Sequence, residues 1–142
     1  MARDVPFRFP VSVRYLEVDQ QGVVFNMWYL AYFDDAMTAF LAAGGLDYGD
    51  MFAAGTDVQL VHTELDWSGS VRWGDAVVVE VRLVAMGTTS FRLGLDVRVG
   101  DTPGEPAVRA ETVYVAIDVA GDGAKCPVPA LLADALGPVT PR

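Results

Sequence analysis

The chain is short of the residues on which many functional sites depend, because its 142 residues include one cysteine, one histidine and one lysine. With Cys126 as the single cysteine, neither an intramolecular disulfide nor a thiolate metal cluster is possible, which fits a reducing compartment. With His62 as the single histidine, a zinc site built from clustered histidine and cysteine ligands is excluded. We therefore expect no metal and no separate cofactor.

Basic charge and long apolar runs are also scarce. The formal net charge is -9, and no basic stripe offsets it, which argues against a nucleic-acid partner. The longest apolar-rich segment, residues 28–43, is too short to cross a bilayer and contains Asp34 and Asp35. The N-terminal residues lack the apolar stretch of a signal peptide. These absences predict a soluble, cytoplasmic protein without a membrane partner.

The residues that are present predict one folded domain over residues 1–142, with a loose tail from about residue 120. Apolar residues alternate with polar ones, as in half-buried strands, near 7–18, 57–67, 75–86, 88–99 and 107–118. In the first of these, Tyr15 falls on the same face as Phe7 and Phe9. Residues 27–43 have helical spacing and are apolar on nearly every face, which predicts a buried helix that ends at Gly44-Gly45.

The order of these elements predicts the fold. Four consecutive strands joined by short turns favour antiparallel pairing. A sheet with one apolar face needs a cover, and the long helix is the only segment of suitable size. The pattern therefore predicts an α+β protein in which a five-stranded antiparallel sheet wraps around one long central helix.

The chain contains none of the common catalytic or nucleotide-binding motifs: no G-x-S-x-G, no Walker A and no G-x-G-x-x-G. A hydrolase built from the remaining residues would use a carboxylate and a helix N-terminus. Asp19 begins a turn that ends at Gly22. Asn26 follows seven residues after Asp19, and we predict that it caps the long helix. The free N–H groups at that helix end would polarise a carbonyl oxygen opposite Asp19.

This stretch resembles the signature of the 4-hydroxybenzoyl-CoA thioesterase branch of the hotdog superfamily. The matching positions are Asp19, Gly22, Val23-Val24, Tyr29-Leu30, Phe33 and Asp34, and Gly74-Asp75 matches a second family mark before the third strand. The resemblance covers about residues 7–118. It implies the hotdog fold and hydrolysis of a small, medium-chain or aromatic acyl-CoA to the free acid and CoA.

The resemblance also implies roles for individual residues. Asp19 would be the nucleophile or general base, the backbone N–H of Asn26 would polarise the thioester carbonyl, and Gly22 would let the loop pass close to the thioester. The active sites would lie at the interface of a homodimer, or of a homotetramer made of two dimers. The candidate CoA contacts are Thr88, Thr89, Ser90 and Arg92, and the candidate acyl-pocket residues are Phe25, Trp28, Tyr29 and His62. Many relatives have His in place of Asn26 and a smaller residue in place of Trp28.

Alternatives stay open at this point. His62 shares a strand face with Glu64 and Asp66, so it is either an orienting group near the site or a surface imidazole between carboxylates. A hotdog dehydratase or hydratase would need a histidine near the helix. A module that binds acyl thioesters without hydrolysing them would share the fold. An acyl carrier protein would be an alternative acyl donor to CoA, and Glu64 or a helix carboxylate an alternative to Asp19.

Overall fold

The computed structural model describes residues 3–101 and 103–142, and this part of the chain forms one five-stranded antiparallel sheet and three α-helices. The elements in chain order are β1 (Phe7–Ser12), a short 3₁₀ helix (Tyr15–Glu17), α1 (Trp28–Ala43), α2 (Tyr48–Ala53), β2 (Thr56–Trp67), β3 (Ala76–Met86), β4 (Ser90–Val99), β5 (Val108–Asp118) and α3 (Ala130–Leu136). The spatial order of the strands is β1-β3-β4-β5-β2. Within the described residues, no helix is long and apolar enough to span a membrane.

The predicted strands after the helix are confirmed, with ends that differ by at most two residues. Strand β1 is shorter than predicted, because the chain leaves the sheet after Ser12 and turns into the 3₁₀ helix. Tyr15 is 73% exposed, so its predicted place on the inner face of the strand was wrong. The alternation in sequence continues past the point where the sheet ends.

The inner face of the sheet carries the core. Every second residue of β3, β4 and β5 is buried, and these residues are Val77, Val79, Val81, Leu83, Phe91, Leu93, Leu95, Val97, Val108, Ala110, Thr112, Tyr114 and Ala116. This two-residue period places the alternate side chains on the outer face. The alternation of apolar and polar residues that predicts these three strands therefore reflects burial on one face of the sheet.

Helix α1 covers the inner face of the sheet. Its buried residues recur at intervals of three and four along one side, and they are Tyr29, Tyr32, Phe33, Ala36, Met37, Phe40 and Leu41. The prediction of a helix buried on nearly all faces was wrong for the opposite side, where Leu30 is 43% exposed in the single chain. The helix ends as predicted at Gly44-Gly45, where the N–H of Gly44 bonds to the carbonyl of Phe40 at 3.1 Å.

The outer face of the sheet is covered by ion pairs rather than by another layer of chain. Glu80 is 8% exposed and accepts hydrogen bonds from Arg8 at 2.5 Å and from Arg98 at 2.7 Å. Asp96 is 6% exposed and pairs with Arg142. Buried carboxylates are tolerated when charged donors satisfy them, so this face needs no apolar cover.

The C-terminal tail is more ordered than its glycine and proline content predicts. Helix α3 lies within it, with Leu132, Ala135 and Leu136 buried against the end of α1. A Cβ atom at Gly44 would lie 2.0 Å from the carbonyl oxygen of Ala135, so only glycine permits this close approach of the two helices. The expected loose tail is therefore wrong for residues 130–136.

Candidate active site

Asp19 lies in a tight loop that is closed by its own backbone. The N–H of Asp19 bonds to the carbonyl of Val23 at 2.9 Å, and the N–H of Gly22 bonds to the carbonyl of Asp19 at 2.9 Å. The Oδ1 atom of Asp19 accepts a hydrogen bond from the N–H of Gln21 at 2.8 Å, and the side chain is half-buried. Among the described residues, Oδ2 makes no hydrogen bond, so one carboxylate oxygen is open for chemistry.

Gly22 gives this loop its shape. Its φ angle is +76°, in the left-handed region that residues with a Cβ atom avoid. A Cβ atom there would approach only the Arg72 guanidinium, at 3.8 Å, so the requirement for glycine comes from the backbone and not from crowding.

We expect Gly22→Ala to lower the free energy of unfolding by about 1–2 kcal/mol, because alanine is strained in the left-handed region. The matched control is Gly69→Ala, whose added Cβ would meet Ala107 at an ordinary 3.7 Å and whose φ is not positive. Denaturant unfolding of both variants checks the prediction. Equal stability of Gly22→Ala and wild type would mean that the loop adopts another conformation.

The loop leads directly to the N-terminus of α1. The helix begins at Trp28, after a turn in which the N–H of Trp28 bonds to the carbonyl of Phe25 at 3.0 Å. Met27, not Asn26, precedes the helix, and no side chain caps it, so the predicted capping role of Asn26 was wrong. Asn26 is exposed, and its backbone N–H makes no hydrogen bond within the described residues. This N–H is available to an external acceptor at the positive end of the helix dipole.

Arg72 lies beside the loop and was not predicted as a site residue. Arg72 pairs with Val23 in an isolated β-bridge, and its guanidinium lies 3.5 Å from the carbonyl oxygen of Gln21. Next to it, Trp73 packs edge-on against Tyr15, with ring centroids 5.4 Å apart, although the two residues are 60% and 73% exposed. Exposed aromatic rings beside a polar loop are typical of a binding surface. Contacts between residues this far apart in the chain leave no local pattern in the sequence.

The candidate CoA contacts lie far from Asp19 within one chain. Thr88 and Thr89 form the turn between β3 and β4, and Ser90 begins β4. Arg92 forms an ion pair with Glu111 at 3.2 Å. The Asp19 loop contacts the chain just before β3, whereas this turn follows the end of β3, and an eleven-residue strand is about 33 Å long. A single chain therefore does not bring the two groups of residues together.

The candidate acyl-pocket residues occupy different environments. Phe25 is 46% exposed beside the loop, whereas Tyr29 is 1% exposed and belongs to the core, where its ring packs edge-on against Trp67. Trp28 is half-buried, with the Arg14 guanidinium 5.7 Å above its ring. Of these three residues, Phe25 is the most exposed, and its N–H bonds to the carbonyl of Glu17, two residues before Asp19.

The other titratable candidates are separate from the loop. His62 is exposed in the single chain, in the middle of β2, and its Nε2 atom lies 2.9 Å from Oε1 of Glu64. The hydrogen bond and the charge of His62 lower the pKa of Glu64. Partial burial, followed by the charges of Asp35 and Asp57, raises the pKa of Asp34 on α1. A hotdog dehydratase would require a histidine beside the N-terminus of α1. Within one chain, His62 does not lie there, because it is in the middle of β2.

The fold and sequence have known relatives. Residues 13–136 match the family described as the Thioesterase-like superfamily. A 1,4-dihydroxy-2-naphthoyl-CoA hydrolase of Synechococcus elongatus is 27% identical over 114 residues, which are 79% of this chain and 82% of the relative. A hypothetical protein from Aquifex aeolicus superimposes with a TM-score of 0.85 at 23% identity, covering 93% of this chain and 100% of the other. A 1,4-dihydroxy-2-naphthoyl-CoA thioesterase from Synechocystis superimposes with a TM-score of 0.81 at 21% identity, covering 92% of this chain and 94% of the other.

The antiparallel sheet packed against a central helix is the hotdog fold, and the family match makes this chain a thioester hydrolase. The chain belongs to the Thioesterase-like superfamily. This confirms the resemblance to hotdog acyl-CoA thioesterases that the sequence predicts, and with it the prediction of an enzyme.

Proposed function

We propose that this thioesterase hydrolyses a small, medium-chain or aromatic acyl-CoA, with Asp19 as the catalytic carboxylate and the N–H of Asn26 as the carbonyl-polarising donor. The proposal rests on one observation: the loop before α1 carries both an open carboxylate oxygen, Oδ2 of Asp19, and a backbone N–H without a hydrogen bond in the described residues, that of Asn26. Named activities of the relatives, which include a 1,4-dihydroxy-2-naphthoyl-CoA hydrolase, support CoA as the leaving group and an aromatic acyl group as a first choice.

The chemistry requires only these two groups. The thioester carbonyl accepts a hydrogen bond from the N–H of Asn26, which stabilises negative charge on its oxygen as the tetrahedral state forms. Asp19 either attacks the carbonyl carbon, which gives a mixed anhydride that water then cleaves, or removes a proton from the attacking water. In both routes the bond from carbon to sulfur breaks, CoA leaves as the thiol, and the acid is released.

The unpaired edge of β2 supports a homodimer. Within the described residues, this twelve-residue strand pairs with β5 alone, so its other edge leaves backbone N–H and C=O groups unpaired along its length. Leu60 is 45% exposed and Val61 is 55% exposed in the middle of the strand. A long open edge with exposed apolar side chains is a site for strand pairing between chains. Two β2 strands pairing antiparallel about a twofold axis would extend the sheet across both subunits.

Such a dimer would complete the site. Trp67, at the end of β2, lies at the same end of the sheet as the Asp19 loop, and Thr56 lies at the end that carries Ser90. Antiparallel pairing of two β2 strands brings Trp67 of one subunit towards Thr56 of the other. The Asp19 loop of one subunit would then face the Thr88–Arg92 region of its partner. We place the CoA contacts there, and the single cysteine is consistent with action in the cytoplasm.

The test is CoA release by the wild-type protein from a panel of aromatic and aliphatic acyl-CoAs, followed with a thiol reagent. We expect turnover of at least one member and weaker turnover of the same acyl group on an acyl carrier protein, because the acidic surface disfavours an acidic carrier. Tight binding of acyl-CoAs without release of thiol would instead identify a binding module. Loss of enoyl absorbance without release of thiol would identify a hydratase.

A further inference from the structure

Glu17 is a buried carboxylate two residues before Asp19. It is 4% exposed, and three donors satisfy it. Its Oε1 atom accepts hydrogen bonds from the backbone N–H of Arg14 at 2.9 Å and from the hydroxyl of Tyr32 at 2.7 Å, and its Oε2 atom accepts one from Nε of Arg14 at 2.9 Å. Burial of a charge is unfavourable unless its partners compensate, so a fully bonded glutamate inside this small protein requires an explanation.

The backbone of Glu17 is bonded to the same region. Its carbonyl accepts a hydrogen bond from the N–H of Phe25 at 2.9 Å. Residues 18–25 therefore form a closed loop whose two ends meet at Glu17. Asp19 lies just inside this closure and Asn26 follows directly after it, while the bond to Tyr32 attaches the closure to α1. Glu17 thus connects the carboxylate, the carbonyl-polarising N–H and the helix.

The charge state favours this arrangement. Burial raises the pKa of Glu17, but the hydrogen bonds from the Arg14 backbone, the Tyr32 hydroxyl and the Arg14 side chain outweigh that effect, so the pKa is lowered overall. Burial and the neighbouring Glu17 charge raise the pKa of Tyr32, which therefore keeps its proton at neutral pH. A hydrogen bond from a hydroxyl to a carboxylate is shorter and stronger than a hydrogen bond between two neutral groups.

We propose that Glu17 is a positioning residue of the thioesterase reaction, which holds Asp19 and the N–H of Asn26 at a fixed separation through its bond to Tyr32 and does not itself contact the substrate. The proposal rests on the function proposed above for Asp19. Small displacements of reacting groups are costly, since a misplacement of about 1 Å can reduce the rate about a hundredfold.

The same molecule provides a matched control. Glu80, in the middle of β3, is also a buried glutamate, and it accepts hydrogen bonds from Arg8 and Arg98. It lies on the outer face of the sheet, and its two partners lie on β1 and β4 and not on the Asp19 loop. A role that is only structural would make Glu17→Gln and Glu80→Gln behave alike.

The experiment compares Tyr32→Phe, Glu17→Gln, the double variant and Glu80→Gln, assayed well below their unfolding temperatures. We expect Tyr32→Phe and Glu17→Gln each to lower kcat about tenfold to a hundredfold with KM little changed. We expect the double variant to lose less than the product of the two single effects, because both changes act on one connection. Glu80→Gln should lower the unfolding temperature while leaving kcat unchanged.

Unchanged kcat in Tyr32→Phe would overturn the proposal, and so would an effect confined to KM. Tyr32→Phe leaves the bonds between Glu17 and Arg14 in place, so it decides the question even where Glu17→Gln does not fold. The two proposals fail separately. An active Asp19→Asn variant contradicts the role of Asp19 and the positioning role with it, whereas an inactive Asp19→Asn variant beside a fully active Tyr32→Phe variant contradicts only the positioning role.

Discussion

Replacement of Asp19 by asparagine is expected to lower kcat at least about a hundredfold while KM changes little, as for the loss of a general base or nucleophile. Asparagine has almost the same shape, and its amide oxygen can accept the hydrogen bond that Oδ1 of Asp19 accepts from the N–H of Gln21 at 2.8 Å. The loop should therefore keep its conformation, and the variant removes only the negative charge. Steady-state release of CoA from the best acyl-CoA in the panel measures the effect.

Asp122→Asn is the matched control for this change. Asp122 also accepts a hydrogen bond from the N–H two residues further on, that of Ala124 at 3.0 Å, and it lies in an exposed turn after β5. Its variant should retain wild-type kcat and KM. Full activity of Asp19→Asn would show that the catalytic carboxylate lies elsewhere, and Asp34 and Glu64 would be the next to replace.

A charge in the middle of β2 is expected to convert the proposed homodimer into monomers and to abolish most of the activity. Val61 lies at an irregularity in the pairing of β2 with β5, at the centre of the strand, and it is 55% exposed. In a twofold interface Val61→Asp introduces two like charges close to the axis, and such charges cost several kcal/mol when an interface brings them together. Light scattering after gel filtration gives the mass, and CoA release gives the activity.

Val139→Asp is the control for the interface. Val139 is 46% exposed and lies beside Thr140, whose N–H bonds to the carbonyl of Leu83 on β3, on the far side of the sheet from β2. This variant should keep both the mass and the activity of the wild type. A dimeric Val61→Asp protein would place the interface on another surface, and a fully active monomer would mean that one subunit contains the whole site.

The strands and the long helix could be predicted because their apolar periodicity reflects burial against a common core. β3 follows the pattern from Val77 to Leu83 and β4 from Phe91 to Val97, since both strands lie inside the sheet. The errors occur where the chain leaves the sheet. Tyr15 continues the alternation of β1 but is exposed in a 3₁₀ helix, and α3 is seven residues long in a segment whose composition suggests a loop. Such short elements are determined by tertiary contacts, as in the approach of Ala135 to Gly44.

The candidate site was predictable in part for a similar reason. Asp19, Gly22 and Asn26 lie close together in sequence, so their proximity to α1 follows from the local chain. Arg72 joins them only through a contact between distant residues, and a glutamate such as Glu17 is ordinarily exposed, so neither residue carried a signal by itself. In the proposed dimer, the approach of Arg92 to the loop depends on a second subunit, and the sequence of one chain does not specify that geometry.

The placement of the loop and of the β3–β4 turn at opposite ends of one sheet has a genetic consequence for the proposed dimer. Each subunit would supply the carboxylate to one reaction centre and the nucleotide contacts to the other. Two alleles, one defective in Asp19 and one defective in Arg92, would then complement each other. Their mixed dimers would contain one intact centre and one centre damaged twice, whereas each parental dimer would contain two centres damaged once.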